Sequence, residues 1–382
     1  MRTLSAYVHI PFCASRCGYC DFNTYTAAEL QRDGTSITAV TYPDRVIAEV
    51  NWLRQSDASD DRALSTIFFG GGTPTLIDSK ELVRILQSLK TEYGFTDDIE
   101  VTTEANPDSV TQQDLEILRA GGFTRISFGH QSSSTKVLAL LERTHTPGKT
   151  WQAVSDARIA GFEHVSVDLI YGSPGESDED LSETLDQVAA ADVDHVSAYS
   201  LIVEPGTRLA ARVARGEIPN PSDDVAAHRY ELIDSKLQTL GMTWYEVSNW
   251  SKPGGECRHN IAYWRNQDWL GIGPGAHAHT AGTRSWNLKH PAAWAARVDE
   301  GVSATADLEV LEPSDINHED IMLGLRLREG LALSVLGDTG LTQAQLAVTE
   351  GLLDPASFTE GKAVLTFQGR LLADGLVARL WA

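Results

Sequence analysis

Cys13-Ala14-Ser15-Arg16-Cys17-Gly18-Tyr19-Cys20 stands just after the short apolar run Ala6-Tyr7-Val8-His9-Ile10. It holds three of the four cysteines in 382 residues, and the fourth, Cys257, lies far along the chain. Three thiolates this close can each bind a different iron of one 4Fe–4S cube, which leaves the fourth iron without a protein ligand. A cluster kept for electron transfer alone normally has four thiolates, so an open iron points to a further ligand. A disulfide framework prefers an even cysteine count in a short secreted chain. A structural zinc site wants four ligands, commonly as two separated pairs. His9 could complete such a set, but it sits inside a predicted strand. The cluster reading is the stronger one.

Composition narrows the class. Apolar content of 42% and charged content of 22% are those of an ordinary globular protein with ample core. The net charge is −22 and the sequence pI is near 4.8. A nucleic-acid partner is therefore not expected, because no basic stripe is present to neutralise phosphates. No apolar run approaches a membrane span, and the N-terminus lacks the pattern of a signal peptide. The expected location is the cytoplasm, whose reducing conditions suit an oxygen-sensitive cluster; loose membrane attachment stays open.

From residue 6 to about 205, strand-like runs alternate with helix-like ones. Strands are predicted at 6–10, 66–69, 99–104, 125–129, 164–170 and 195–203, short and rich in Val, Ile and Phe as buried parallel strands are. Asp78-Ser79-Lys80-Glu81 reads as a capping box before Leu82, Ile85, Leu86 and Leu89 on one helical face. Thr111 and Asp114 open a second helix that stops at Gly121-Gly122, and 177–190 is a third. Segments 44–54 and 151–160 supply two more. Repeated βαβ units imply a parallel sheet, and a partial barrel fits best.

Nearly every unusual polar or glycine-rich feature falls just after a strand. The cysteines follow the first, and Gly70-Gly71-Gly72-Thr73-Pro74 the second. Glu104-Ala105-Asn106-Pro107 ends the third, Gly129-His130-Gln131-Ser132 the fourth, and Asp168 lies in the end of the fifth. Parallel α/β folds place their sites at that carboxyl end, so these residues are expected to converge. The glycine run lacks the Lys-Ser/Thr of a P-loop and the spacing of a dinucleotide fingerprint.

Beyond about 205 the pattern changes. A breaker at 219–222 precedes a predicted helix over 225–240, then an aromatic run at 244–250 and a stretch at 257–290 rich in His, Trp and Gly. His277 and His279 would share one face of a strand, but the flanking glycines favour a loop; they and Cys257 are weaker ligand candidates. From about 311 a small winged-helix-like module is expected, with helical patches at 321–327, 333–336 and 342–349 and strands at 362–367 and 375–380. The organisation is thus a core over 1–215, an extension over 216–310 and the module over 311–382.

The spacing C-x3-C-x2-C, with Tyr19 before the last cysteine, resembles the radical S-adenosylmethionine superfamily. The resemblance implies a partial (β/α)6 barrel and a cofactor whose amino and carboxylate groups chelate the open iron. Gly71-Gly72-Thr73-Pro74 resembles the segment that hydrogen-bonds the cofactor's amino group. Tyr7, Glu104, Gln131, Arg143 and Asp168 fall where the oxygen-independent coproporphyrinogen III oxidase family has its cofactor-binding residues, and Tyr19 and Ile202 belong to the same implied set. The flanking words agree: Ser127-Phe128-Gly129-His130-Gln131-Ser132, Asp168 through Gly175, and Leu323-Gly324-Leu325-Arg326. Arg143 suits a carboxylate through its fork of donors, and an acidic residue suits ribose hydroxyls.

Two departures separate this chain from the oxidase proper. Phe22 stands where the oxidase has a further cysteine, and only twelve residues precede Cys13 where the oxidase carries a long arm. His259-Asn260-Ile261-Ala262-Tyr263-Trp264 resembles the H-N-x-x-Y-W motif of the haem chaperone (HemW) branch. An imidazole beside aromatic rings suits haem iron and a flat macrocycle; a buried, hydrogen-bonded histidine is the structural alternative. These features favour a haem chaperone that delivers haem to cytochromes, with a homodimer implied by chaperone relatives. The alternative is an enzyme, anaerobic decarboxylation of coproporphyrinogen III to protoporphyrinogen IX.

Overall fold

In the computed structural model, which describes residues 2–33, 35–57, 59–143, 146 and 148–381, the first strand sets the pattern. In β1 (Leu4–Ile10), Ala6, Val8 and Ile10 are buried in the main core while Ser5, Tyr7 and His9 face the other way. The same alternation runs through β2 (Leu64–Gly71), β3 (Phe95–Ala105), β4 (Arg125–Gln131), β5 (His164–Tyr171) and β6 (His195–Ser200). One face is apolar and carries the helices. The other is lined by small hydroxyls such as Ser5, Thr66, Thr102, Ser127, Ser166 and Ser197, all buried.

The intervening helices form as their signals predict. Ser79–Tyr93 buries Leu82, Ile85, Leu86 and Leu89, and Asp78 caps it through the Lys80 N–H. Glu81 does not complete the expected capping box; it turns to Arg84. Thr111 with Asp114, and Ser177 with Asp180, do form reciprocal boxes, and Gly122 ends its helix in the left-handed region at φ 113°.

The chain after β6 extends this sheet at both ends. The aromatic run becomes a hairpin, β7 (Thr243–Glu246) and β8 (Asn249–Ser251), and β8 pairs antiparallel with β6. β9 (Asp268–Ile272) joins the free side of β1 in parallel, and β10 (His277–Thr280), β11 (Thr283–Asn287) and β12 (Thr305–Val310) follow as a meander. The order is β12-β11-β10-β9-β1-β2-β3-β4-β5-β6-β8-β7. β6 does not pair with β1, so the parallel part is a partial barrel. Residues 277–280 are strand rather than loop because the flanking glycines sit in the turns on either side, with Gly273, Gly275 and Gly282 at positive φ.

The last module has a core of its own built on Ile321, Leu325, Leu353, Leu376 and Leu380. Two expected strands differ. Only Lys362–Ala363 is strand, paired with Leu331–Ala332, and 375–380 lies in the helix Ala373–Trp381, whose buried Ala373, Leu376, Val377 and Leu380 recur at helical spacing. Arg370 fixes the module to the barrel: its guanidinium meets both oxygens of Asp234 at 2.9 and 2.8 Å, and Trp250 Nε1 donates to the same carboxylate at 2.7 Å. Among the described residues no helix is long and apolar enough to cross a membrane.

Candidate functional site

The cysteine loop leaves β1 and is tied down from three directions. The Gly18 N–H donates to the Leu141 carbonyl at 2.9 Å and the Gly18 carbonyl accepts from Leu209 N–H at 2.8 Å. Gly18 has no room for more: an added Cβ would lie 3.0 Å from the Glu142 carboxyl carbon. On the far side Asn23 donates to the carbonyls of Pro274 and Lys289 at 3.0 and 2.8 Å, while its own carbonyl takes His9 Nε2 at 2.9 Å. That bond makes His9 Nδ1 the acceptor for the Tyr7 hydroxyl at 3.1 Å. Cys13, Cys17 and Cys20 are free thiols, each partly exposed to one cavity.

Gly71, Gly72 and Thr73 run beside this loop. Their amides are already spent: Gly71 N–H on Glu104 Oε2 at 3.1 Å, Gly72 N–H on the Ile10 carbonyl and Thr73 N–H on the Phe12 carbonyl, both at 2.7 Å. The run is therefore no anion cradle. It extends the β1–β2 pairing to the cysteines, and a Cβ on Gly72 would stand 2.4 Å from the Phe12 carbonyl oxygen.

The strand ends complete the wall of a cavity of about 650 Å³. Arg143 donates to the Gly129 carbonyl at 3.1 Å and lies 3.6 Å from Cys17 Sγ. Asp168 accepts from Ser127 Oγ at 2.9 Å. Burial, and then the charge of Asp168, push the Glu104 carboxyl up to about 8; burial also raises Asp168. Gln131 is held at φ 62°, an uncommon state for a non-glycine residue.

This wall fits the cofactor pair that the motif implies. Gln131 Oε1 and Arg143 Nε are buried without a partner, and such atoms ordinarily find one. Among the described residues no three His, Cys, Asp or Glu side chains are set to hold a single metal ion. A cube asks for less convergence, since each thiolate meets a separate corner.

Twelve of the expected residues line this cavity: Cys13, Cys17, Cys20, Tyr19, Gly71, Gly72, Thr73, Glu104, Gln131, Arg143, Asp168 and Ile202. Two do not. Tyr7 lies deeper, stacked on Phe68 at 6.3 Å between ring centroids. His259 is fully buried further in, its Nδ1 2.8 Å from Thr66 Oγ1 and its Nε2 2.9 Å from the Tyr263 hydroxyl, with burial pushing it down to about 3. Both ring nitrogens are engaged in this structure, the arrangement that the structural alternative describes. Glu100 Oε1 accepts the His259 N–H at 2.9 Å, and the short helix Arg258–Trp264 plugs the amino end of the strands. Cys257 is buried against Glu100, and His279 is buried while His277 is exposed, so these three share no ligand site. Sequence reasoning missed Tyr199, which also lines the cavity. Its signal was position: β6 ends at Ser200, not 203, so Tyr199 stands at a strand's carboxyl end.

A curved parallel sheet with three cysteines after its first strand defines a radical S-adenosylmethionine protein, and residues 7–188 match the model of the Radical SAM superfamily. A solved structure of coproporphyrinogen III oxidase (HemN) from Escherichia coli is 24% identical and superposes with a TM-score of 0.83 over 99% of this chain and 90% of that one, a likeness of fold. Heme chaperone HemW of Mycobacterium tuberculosis H37Rv is 46% identical over 381 residues, 99% of this chain and 95% of that protein. Heme chaperone HemW of Bacillus subtilis is 32% identical over 97% of each chain. The chain belongs to the HemW family of haem chaperones.

Proposed function

We propose that this protein is a haem chaperone of the radical S-adenosylmethionine class, which binds a 4Fe–4S cluster and S-adenosylmethionine, carries haem and hands it to acceptor proteins. The observation that carries this reading is likeness at 46% identity over nearly the whole length of a named haem chaperone. Cys13, Cys17 and Cys20 would hold the cluster. Arg143 would take the cofactor's carboxylate, Glu104 and the Gly71–Thr73 segment its amino group, Gln131 and Asp168 its ribose, and Tyr19 and Ile202 its flanks. When bound, the cluster and cofactor supply one-electron chemistry. This chain's own residues orient both and shield them from water. Cytochromes as acceptors, a cytoplasmic location, a homodimer and peripheral membrane contact belong to the same proposal.

The test is anaerobic reconstitution with iron and sulfide, followed by separate assays with ferric haem and with coproporphyrinogen III plus S-adenosylmethionine and reductant. Stoichiometric haem binding and transfer to an apocytochrome without porphyrinogen turnover is the expected result. Protoporphyrinogen formed with matching 5′-deoxyadenosine would replace the chaperone with a decarboxylating enzyme. Cys13→Ser, Cys17→Ser and Cys20→Ser should each lose the cluster absorbance, and an unchanged iron count would remove the ligand assignment.

A further inference from the structure

The cavity has two chemically different parts. Its wall is polar where Glu104, Gln131, Arg143 and Asp168 stand, and elsewhere, along its lip, it carries two exposed apolar side chains among charged ones. Phe22, from the cysteine loop, is 58% exposed, and Ile202, from the segment after β6, is 65% exposed. Single exposed apolar side chains are ordinary on any surface. Here two large ones come from distant parts of the chain and line one opening.

Two guanidinium groups stand at the same place. Arg16 lines the cavity, its side chain is 40% exposed, and it meets Glu29 only at 3.6 Å. Arg208, 60% exposed, donates to the Arg16 carbonyl and pairs with Glu142 at 2.9 Å. Each of these guanidinium groups is shared with one carboxylate, Glu29 or Glu142, and keeps donors free beside the exposed Phe22 and Ile202, a pairing of cation and apolar surface that suits a flat apolar body carrying carboxylates. Asp21 and Glu204 also line the cavity, and their charge turns a carboxylate-bearing edge toward the two arginines.

We infer that this lip is the haem seat: the macrocycle lies against Phe22 and Ile202, and its propionates reach Arg16 and Arg208. The inference rests on the haem chaperone reading and names where the cargo sits. It puts haem at the mouth of the cluster cavity, at the opposite end of the strands from His259, whose ring would have to give up Thr66 or Tyr263 to meet iron. It also gives Phe22 a role as a contact for the cargo.

Full-length, cluster-reconstituted protein should be titrated anaerobically with ferric haem and with ferric haem dimethyl ester, reading the Soret band. The wild type is expected to prefer the free acid by tenfold or more. Phe22→Ser should weaken both ligands by at least tenfold, and the Arg16→Gln/Arg208→Gln double variant should lose the preference for acid over ester. That preference is a ratio within one preparation, so partial unfolding does not imitate its loss. A wild type that binds neither ligand defeats the chaperone reading itself. A wild type that binds haem, with Phe22→Ser and the double variant matching it in affinity and preference, overturns the lip alone. Loss confined to His259→Ala overturns it too.

Discussion

Glu104 carries the most consequential proton in the cavity. Its carboxyl is pushed up to about 8 by burial and by the neighbouring charge of Asp168, so the empty site holds it neutral at pH 7. Pairing with the ammonium of S-adenosylmethionine requires the ionised form, and binding therefore releases a proton. Affinity should rise close to tenfold per pH unit between about 6 and the midpoint near 8, then level off. Calorimetry in buffers of different ionisation enthalpy measures the proton released, and Glu104→Gln should flatten the profile. The sign for stability is the reverse. A native carboxyl raised above its unfolded value binds extra protons between those two values, so its contribution to the empty protein falls as pH rises through that window. His259 makes the opposite kind of residue. His259→Ala should cost roughly 2–4 kcal/mol by opening a cavity and removing the ring that Thr66 and Tyr263 hydrogen-bond, although Thr66 keeps Ser5. Iron loading should stay intact, and both are read from a denaturant melt and an iron assay.

At the scale of elements, the sequence was most legible where each segment decides its own form. The six parallel strands and the helices capped by Asp78, Thr111 and Ser177 carry their periodicity and caps locally, and the cysteines and glycines mark the carboxyl ends. Residues 375–380 misled because Leu376, Val377 and Leu380 suit a strand by type; only their spacing with Ala373 reveals the helix. The surroundings of His259 were hidden for another reason. A motif shows that a histidine sits near aromatics, but only the fold shows that Thr66, on a strand 193 residues away, takes its free nitrogen. The Arg370–Asp234 latch was equally hidden, being a contact 136 residues apart. Arg370→Met should cost about 3–5 kcal/mol by leaving Asp234 as an unpaired buried charge. Limited proteolysis should then cut near residues 311–320 before the barrel, whereas uncut protein would show that apolar packing alone holds the module.

For the whole molecule, an open sheet leaves two edges that a closed barrel would lack. β12 is one of them, and its exposed Leu308 and Val310 would invite pairing with another chain. Asp307 and Glu309 alternate with them, and carboxylates on an edge are a common guard against such pairing. Asp307→Thr with Glu309→Thr should raise the mass seen by light scattering; a mass equal to the wild type would show that the edge is protected in some other way. The ties of Asn23 have a consequence for how the protein is made. The cysteines are synthesised long before the carbonyls that anchor their loop, which belong to Pro274 and Lys289, and β1 lacks its second neighbour until β9 emerges. A nascent chain halted at residue 250 would own Cys13, Cys17 and Cys20 and the cavity's lining residues but no finished cradle. A finished cluster cradle is thus expected only once Lys289 has emerged, and a chain cut short before it should fail to keep its iron.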